Sequence, residues 1–180
     1  MIIIDGQSEI EYPGRTRVAI GKFDGIHMGH KRLISEITGK NDGLLAVVFT
    51  FSFASEIYLN NVERILSDEE RHKIFEQLGV DILVEYDLND VTAKTEPEDF
   101  ARIVLKERLH CAEVVCGSDL SFGYKGRGNV ALLKSMEEEL GIKTRVIDKV
   151  KYLGEDISST RIRKALYEGN FADAEYMLRG

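Results

Sequence analysis

The sequence predicts an α/β fold, with a doubly wound and mostly parallel sheet covered by helices on both faces. Three observations carry this. Short apolar runs alternate with longer stretches of helical period along the whole chain. Glycines and capping residues stand where those helical stretches begin and end. Leu44 to Phe51 (LLAVVFTF) is β-branched, aromatic and apolar at almost every position, the pattern of a strand covered on both sides.

Taken in order, Arg17 to Gly21 reads as a strand, and Gly29 to Thr38 as a helix with Leu33, Ile34 and Ile37 on one side. After the Leu44–Phe51 strand, Ser67 or Asp68 caps a helix that runs to Leu78, with Ile74, Phe75 and Leu78 inward and Gly79 ending it. Ile82 to Glu85 is a strand. Glu96 to Leu109 is a helix with Pro97 in its first turn and Phe100, Ile103, Val104 and Leu109 apolar. Glu113 to Gly117 is a strand, Asn129 to Leu140 a helix stopped by Gly141, and Lys143 to Ile147 a further strand. Ser159 to Glu168 and Phe171 to Leu178 are two short helices parted by Gly169-Asn170. No repeat or linker-like tract divides the chain, so residues 1–180 are expected to form one domain.

Composition narrows the functional classes. Hydrophobic residues at 43% and charged residues at 31% are the balance of a folded globular protein. The longest apolar runs, Leu44–Val48 and Ile2–Ile4, are far too short to span a bilayer, and the N-terminus lacks a signal-peptide layout. Cys111 and Cys116 are the only cysteines, which excludes a disulfide framework and suits a reducing cytoplasm. A net charge of −7 argues against general nucleic-acid binding. An acidic protein that handles phosphates must gather positive potential in one cleft.

Gly21-Lys22-Phe23-Asp24-Gly25-Ile26-His27-Met28-Gly29-His30 follows the first strand and opens a helix. Glycines there permit tight turns and close approach of a ligand to the backbone. A helix N-terminus offers unpaired N–H groups and a positive dipole end, and His27 and His30 can donate to phosphate oxygens at the same place. Zinc would need a third convergent ligand, and the nearest carboxylate, Asp24, lies on a tight turn. Ile157 to Arg163 (ISSTRIR) is a second helix start, with three hydroxyls and the planar fork of Arg161 available to phosphate. Cys116 to Asn129 (CGSDLSFGYKGRGN) lies beyond a strand's carboxyl end and suits a ligand-contacting loop. In it Asp119 can accept hydrogen bonds, Phe122 and Tyr124 can stack on a ring, and Lys125 and Arg127 can meet phosphates.

The first segment resembles the HxGH signature of the adenylyl- and cytidylyltransferase superfamily, and its longer form, GxFDGxHxGH, resembles that of bacterial FAD synthetases. The second is similar to the superfamily's ISSTxIR signature. The loop is similar to the family's GxDFRFGxxxxG stretch, with Leu120 and Ser121 where Phe and Arg are usual. After Phe51 the chain reads Ser52-Phe53-Ala54-Ser55, where the family typically carries a His-Pro segment near the flavin.

The resemblance implies a Rossmann-like nucleotidyltransferase fold and a transfer of AMP from ATP to FMN, giving FAD and pyrophosphate. It implies His27, His30 and Arg161 as catalytic residues, and Gly21, Phe23, Gly29, Ser158, Ser159 and Thr160 as ATP-binding. Phe53, Asp119, Phe122 and Tyr124 fall on the flavin side. Mg²⁺ is implied as the partner of ATP, resting on substrate phosphates with no protein ligand assigned. No stretch resembling the riboflavin kinase barrel that commonly follows this domain is present, since the resemblance stops at Met177-Leu178-Arg179-Gly180, and both a monofunctional enzyme and a fragment of a longer one fit that reading. The departures on the acceptor side keep two alternatives open: transfer to another phosphate acceptor, and a non-enzymatic flavin- or nucleotide-binding regulator.

Overall fold

The structure, a computed structural model, describes residues 1–5, 14–52 and 64–179. Six strands form one fully parallel sheet: β1 (Ile2–Asp5), β2 (Thr16–Ile20), β3 (Leu45–Phe51), β4 (Ile82–Tyr86), β5 (Cys111–Gly117) and, later in the chain, β8 (Lys143–Ile147). Their spatial order is β1-β4-β3-β2-β5-β8. From β2 the chain steps outward through β3 to β4, then returns so that β5 lies on the other flank of β2. The strand order therefore reverses between β2 and β5, and ligands of such sheets sit beyond the carboxyl ends at that point.

Helices cover both faces, as expected from a sheet whose strands are apolar throughout. Successive side chains point to opposite faces. Val18 and Ile20 of β2 join Val47, Phe49, Val84 and Val114 in one core, and Ala19 joins Ala46, Val48, Leu83 and Val115 in the other. The second face is covered by α1 (Met28–Ile37), through Leu33, Ile34 and Ile37, and by α2 (Asp68–Gln77), through Phe75. Ser67 starts α2 with a capping box to Glu70, and Gly79 follows it at φ +79°.

The first face is covered by α3, Pro97–Asp99, which continues as a π-helix over Phe100–Arg108, and by α4 (Val130–Ser135) and α5 (Glu137–Leu140). Two expectations change here. The wider π winding turns Phe100, Ala101, Val104 and Leu105 inward and leaves Ile103 40% exposed, so Ile103 is not a core residue. The helix expected from Asn129 to Leu140 is capped by the Asn129 side chain as the sequence suggests, but it breaks at Met136, where the backbone leaves helical geometry (φ −97°, ψ −1°).

Between β5 and α4 lies a small ribbon, β6 (Ser121–Phe122) with β7 (Gly128–Asn129). Gly123 fits there because φ is +69° and an added Cβ would stand 2.6 Å from the Pro97 backbone. After β8 comes a hairpin, β9 (Lys151–Tyr152) with β10 (Glu155–Asp156), then α6 (Ser159–Tyr167) and α7 (Phe171–Arg179). Ile157, Ile162, Ala165, Ala174 and Met177 give this last unit its own apolar cluster.

One ionic cluster is buried at the opposite end of the sheet from the switch point. Arg17 of β2, 4% exposed, pairs with Glu113 of β5 and with Asp42. Arg145 of β8 bonds the other Glu113 oxygen at 3.0 Å and Glu36 of α1 at 2.9 Å. Three strands are joined through the Glu113 carboxylate, and Glu36 adds α1 through Arg145.

Candidate active site

A cavity of about 380 Å³ opens where β2, β5 and β8 end. Its wall includes Gly21 and Lys22 after β2, Gly117 at the end of β5 with Asp119, Leu120 and Ser121 beyond it, and Asp148 and Lys149 after β8. Its floor is His27, Gly29 and His30 at the start of α1, and Ser158 and Ser159 at the start of α6. Two helix N-termini thus meet at the switch point of the sheet, a favourable place for an anion.

The turn from β2 into α1 is held tightly. Phe23 and Ile26 take the left-handed backbone conformation at φ 49° and 41°, although both are bulky and fully buried. Such conformations cost of order 1–3 kcal/mol each and persist only where packing enforces them, typically at functional sites. Glycine is required beside them by close approach. A Cβ on Gly25 would stand 3.0 Å from Ile65 and 3.3 Å from Leu178, and one on Gly29 would stand 3.2 Å from the His27 ring. Asp24 is buried, accepts from the Ile65 backbone N–H at 3.1 Å and pairs with Arg163 of α6. The two helix starts are therefore locked to each other by an ion pair spanning the chain.

His27 is the N-cap of α1. Its Nδ1 accepts from the His30 backbone N–H at 3.3 Å, so this nitrogen carries no proton and the ring's hydrogen lies on Nε2. The His27 and His30 rings stack with centroids 3.7 Å apart, and Phe23 packs 4.9 Å from His30. Burial pushes His27 down to about 4, against the weaker pull of Asp24 and Asp119. His30 is also pushed well below its usual range, by burial first and then by His27 and the Arg71 guanidinium. Both imidazoles are neutral at pH 7, with His27 Nε2–H a donor that needs no prior protonation.

The buried neutral state makes stability depend on pH. Between about pH 6.5 and 4 the unfolded chain takes up a proton on His27 that the native state refuses, so stability falls as pH drops through that window. The slope per histidine is at most about 1.4 kcal/mol per pH unit. Denaturant unfolding from pH 7 to 5 should show the decline, and His27→Asn should make it shallower by one histidine's share, with that of His30 remaining. Stability independent of pH over that range, or the same slope in the variant, would contradict the buried neutral state.

The remaining sequence-derived residues divide. Ser158 caps α6 by accepting from the Arg161 backbone N–H at 3.2 Å, which leaves its own hydroxyl proton to donate. Thr160 is exposed and Arg161 does not line the cavity. Arg161 Nη1 donates to the carbonyls of Tyr152 and Glu155 at 2.9 Å each, which fastens the β9–β10 hairpin. Phe23 lies beneath the turn as core and is not among the cavity-lining residues. Asp119 lines the cavity and pairs with Lys149 at 2.9 Å. Lys125 and Arg127 both lie 5.2 Å from the Tyr124 ring centroid, and Arg127 pairs with Glu96. Neither cavity is lined by Tyr124, Lys125 or Arg127. Phe53 lies outside the described residues.

A second, more apolar cavity of about 190 Å³ shares Ile20, Gly21, Lys22, Leu120 and Ser121 with the first. Phe49, Phe51, Tyr86, Phe100 and Phe122 form its aromatic wall, with Phe122 5.5 Å from Phe100. Sequence reasoning missed most of this wall, because Phe49 and Phe51 read as ordinary strand residues and Tyr86 lies just past the strand expected to end at Glu85. It also missed Lys22 and Lys149, the two cationic side chains of the first cavity's wall. The available signal was their position, directly after a strand of a parallel sheet. Among the described residues one group has metal-ligand spacing, Asp68, His72 and Glu85. It lies on α2 and β4, and Arg64 and Arg71 already engage its Asp68.

Comparison with known proteins agrees with this geometry. A family model described as FAD synthetase matches residues 9–161. A Buchnera aphidicola (subsp. Schizaphis graminum) protein named bifunctional riboflavin kinase/FMN adenylyltransferase is 31% identical over 91% of this chain and 54% of its own length. A Listeria monocytogenes FAD synthetase is 31% identical over 89% of this chain and 67% of its own. The chain spans little more than half the length of several bifunctional relatives it matches. A crystal structure from Streptococcus pneumoniae, described as a macrolide-efflux protein, superposes with TM-score 0.86 at 29% identity, over 99% of this chain and 60% of that one. Among the described residues, no helix is long and apolar enough to cross a membrane. A Francisella tularensis pantoate-beta-alanine ligase, at TM-score 0.56 and 17% identity over 93% of this chain and 78% of that one, shares the fold.

Proposed function

The chain belongs to the FAD synthetase family, and from that premise we propose that it transfers the adenylyl group of ATP to the phosphate of FMN, releasing pyrophosphate and forming FAD. The observation that carries this reading is the pair of adjoining cavities. One is the more polar, floored by two helix N-termini and two neutral imidazoles; the other is walled by aromatic rings; they share Ile20, Gly21, Lys22, Leu120 and Ser121. A nucleotide's phosphates suit the first and a planar ring system suits the second, so that two phosphate groups meet at the common wall.

The reaction asks little covalent chemistry of the protein. An FMN phosphate oxygen attacks the α-phosphorus of ATP, a P–O bond forms, and the bond to pyrophosphate breaks. That oxygen is already anionic at neutral pH, so no general base is required. Catalysis rests on positioning and on donors aimed at developing charge. His27 Nε2–H, the Ser158 and Ser159 hydroxyls and the N–H groups of two helix starts serve that purpose. The family reaction implies a divalent ion with ATP. Asp119 and Asp148, the carboxylates of the first cavity's wall, are oxygen donors of the kind magnesium accepts beside phosphate oxygens, and the ion supplies charge neutralisation when bound. Arg161 remains in this reading as a candidate for the β- and γ-phosphates, on the condition that it leaves the hairpin carbonyls it now holds.

Incubating the protein with ATP, Mg²⁺ and either FMN or riboflavin, followed by chromatography, tests the proposal. FAD from FMN is the expected product. Pyrophosphate release with another phosphate acceptor and never with FMN would assign the second cavity differently, and flavin binding without turnover would make the protein a regulator.

A further inference from the structure

The first cavity poses an electrostatic problem. The chain carries a net charge of −7, and the cations that sequence reasoning assigned to phosphates, Arg161, Lys125 and Arg127, do not line that cavity. Its wall holds two carboxylates, Asp119 and Asp148, and two cationic side chains, Lys22 and Lys149. Lys149 stands on the connection from β8 to β9 and lines the same cavity as Ser158 and Ser159. Its Nζ lies 2.9 Å from Asp119 Oδ2, across the cavity mouth on the loop after β5, and 3.7 Å from Asp156 Oδ2.

We propose that Lys149 is a nucleotide-phosphate ligand, held in reserve by Asp119, whose ammonium exchanges that carboxylate for the triphosphate when nucleotide enters. This rests on the adenylyl-transfer reading of the cavity and adds to it a residue and a displacement.

Three observations support the exchange. The Asp119 side chain is 68% exposed and that of Lys149 36%, so their pair is a solvent-screened contact that is easily surrendered. A charge-assisted bond to a polyanion at the mouth of a cleft is stronger. Asp119 and Lys149 line the same cavity as His27 and Ser158, so the pair stands in the space a nucleotide's phosphates would occupy. Leaving Asp119 without nucleotide would place an uncompensated carboxylate beside the phosphate site. The ion pair therefore both stores the cation and neutralises a group that would repel the ligand, until nucleotide or its divalent ion takes over each half. Lys149 lines the first cavity and not the second, so its role concerns ATP and not the acceptor.

Isothermal titration of ATP with Mg²⁺, and separately of FMN, into wild type, Lys149→Gln and Lys149→Arg tests this. ATP affinity should fall roughly tenfold in Lys149→Gln. It should recover largely in Lys149→Arg and depend less steeply on salt in the Gln variant, with FMN affinity within twofold of wild type throughout. Wild-type ATP binding with Lys149→Gln within twofold of it overturns the role of Lys149 and leaves the adenylyl-transfer reading standing. Parallel loss of ATP and FMN binding would mark general damage to the site and overturn the proposal as well. A wild-type protein that binds no ATP would remove both readings.

Discussion

Replacing His27 by Asn is expected to lower turnover by roughly a hundred- to a thousandfold while leaving the fold in place, the usual cost of removing one preorganised donor aimed at transition-state charge. Asparagine is the informative choice because the proposed reaction adds a second, separable task to the capping role of His27. Its Nδ1 caps α1 by accepting from the His30 backbone, and asparagine, among the best N-caps, keeps an acceptor there. Its Nε2–H is the only proton of a ring held neutral by burial, and asparagine cannot reach as far. His27→Ala removes both functions and should add about 1 kcal/mol of destabilisation from the lost cap. The kinetic signature should be a fall in kcat with KM little changed, because the donor matters most where charge develops. Thermal melts recorded beside the kinetics decide between the two tasks. A His27→Asn protein within threefold of wild-type turnover would show that the ring serves to cap and pack. A melting temperature that falls in step with activity would point to the same structural role.

The division between legible and hidden parts of this molecule follows sequence separation. The strands and helices were legible because a parallel sheet buried on both faces writes itself as apolar runs, and Val18, Ala19 and Ile20 feed two different cores in succession. Part of the β2–α1 turn was legible because it is local: Gly29 makes room for the His27 ring, and His27 caps the helix that carries His30. Hidden features depend on partners brought from far away. Arg163 and Arg161 look equivalent in ISSTRIR, yet Arg163 pairs with Asp24, 139 residues earlier, while Arg161 holds the β9–β10 hairpin. That hairpin itself was concealed. Its turn places Leu153 and Gly154 at φ 53° and 82°, and leucine at a left-handed position gives no turn signal. The π winding after Asp99 is equally invisible to a count of 3.6 residues per turn, which is why Ile103 reads as core and is exposed. β1 escaped assignment because Ile2–Ile4 is a short run with no helical stretch before it; pairing with β4 along Ile2–Asp5 makes it a strand.

Far from the cavities, Glu113→Ala is expected to destabilise the fold by about 3–5 kcal/mol. Glu113 is 9% exposed and receives Arg17 on one carboxylate oxygen and Arg145 on the other. Arg17 is the critical partner. It is buried on β2, in register beside Glu113 of β5, and its Nη1 is buried without a hydrogen-bond partner. Loss of Glu113 leaves that guanidinium with Asp42, whose side chain is 45% exposed and so offers a well-screened charge. A buried cation stripped of its main counter-ion costs far more than the intact pair contributes, since desolvation has already been incurred. Arg145, 44% exposed and still bonded to Glu36, should suffer little. The same reasoning fixes a control. Replacing both buried partners by apolar residues of similar volume, Arg17→Met with Glu113→Leu, removes both desolvation penalties together and should recover most of the loss. Chemical denaturation of Arg17→Met, Glu113→Leu and the double variant completes the cycle that measures the coupling. Equal destabilisation by the single and the double substitution would mean that the cluster stabilises β2, β5 and β8 by attraction, and not merely by avoiding an orphaned charge. A loss below about 1 kcal/mol in Glu113→Ala would mean that water reaches Arg17 and that the cluster is effectively a surface one.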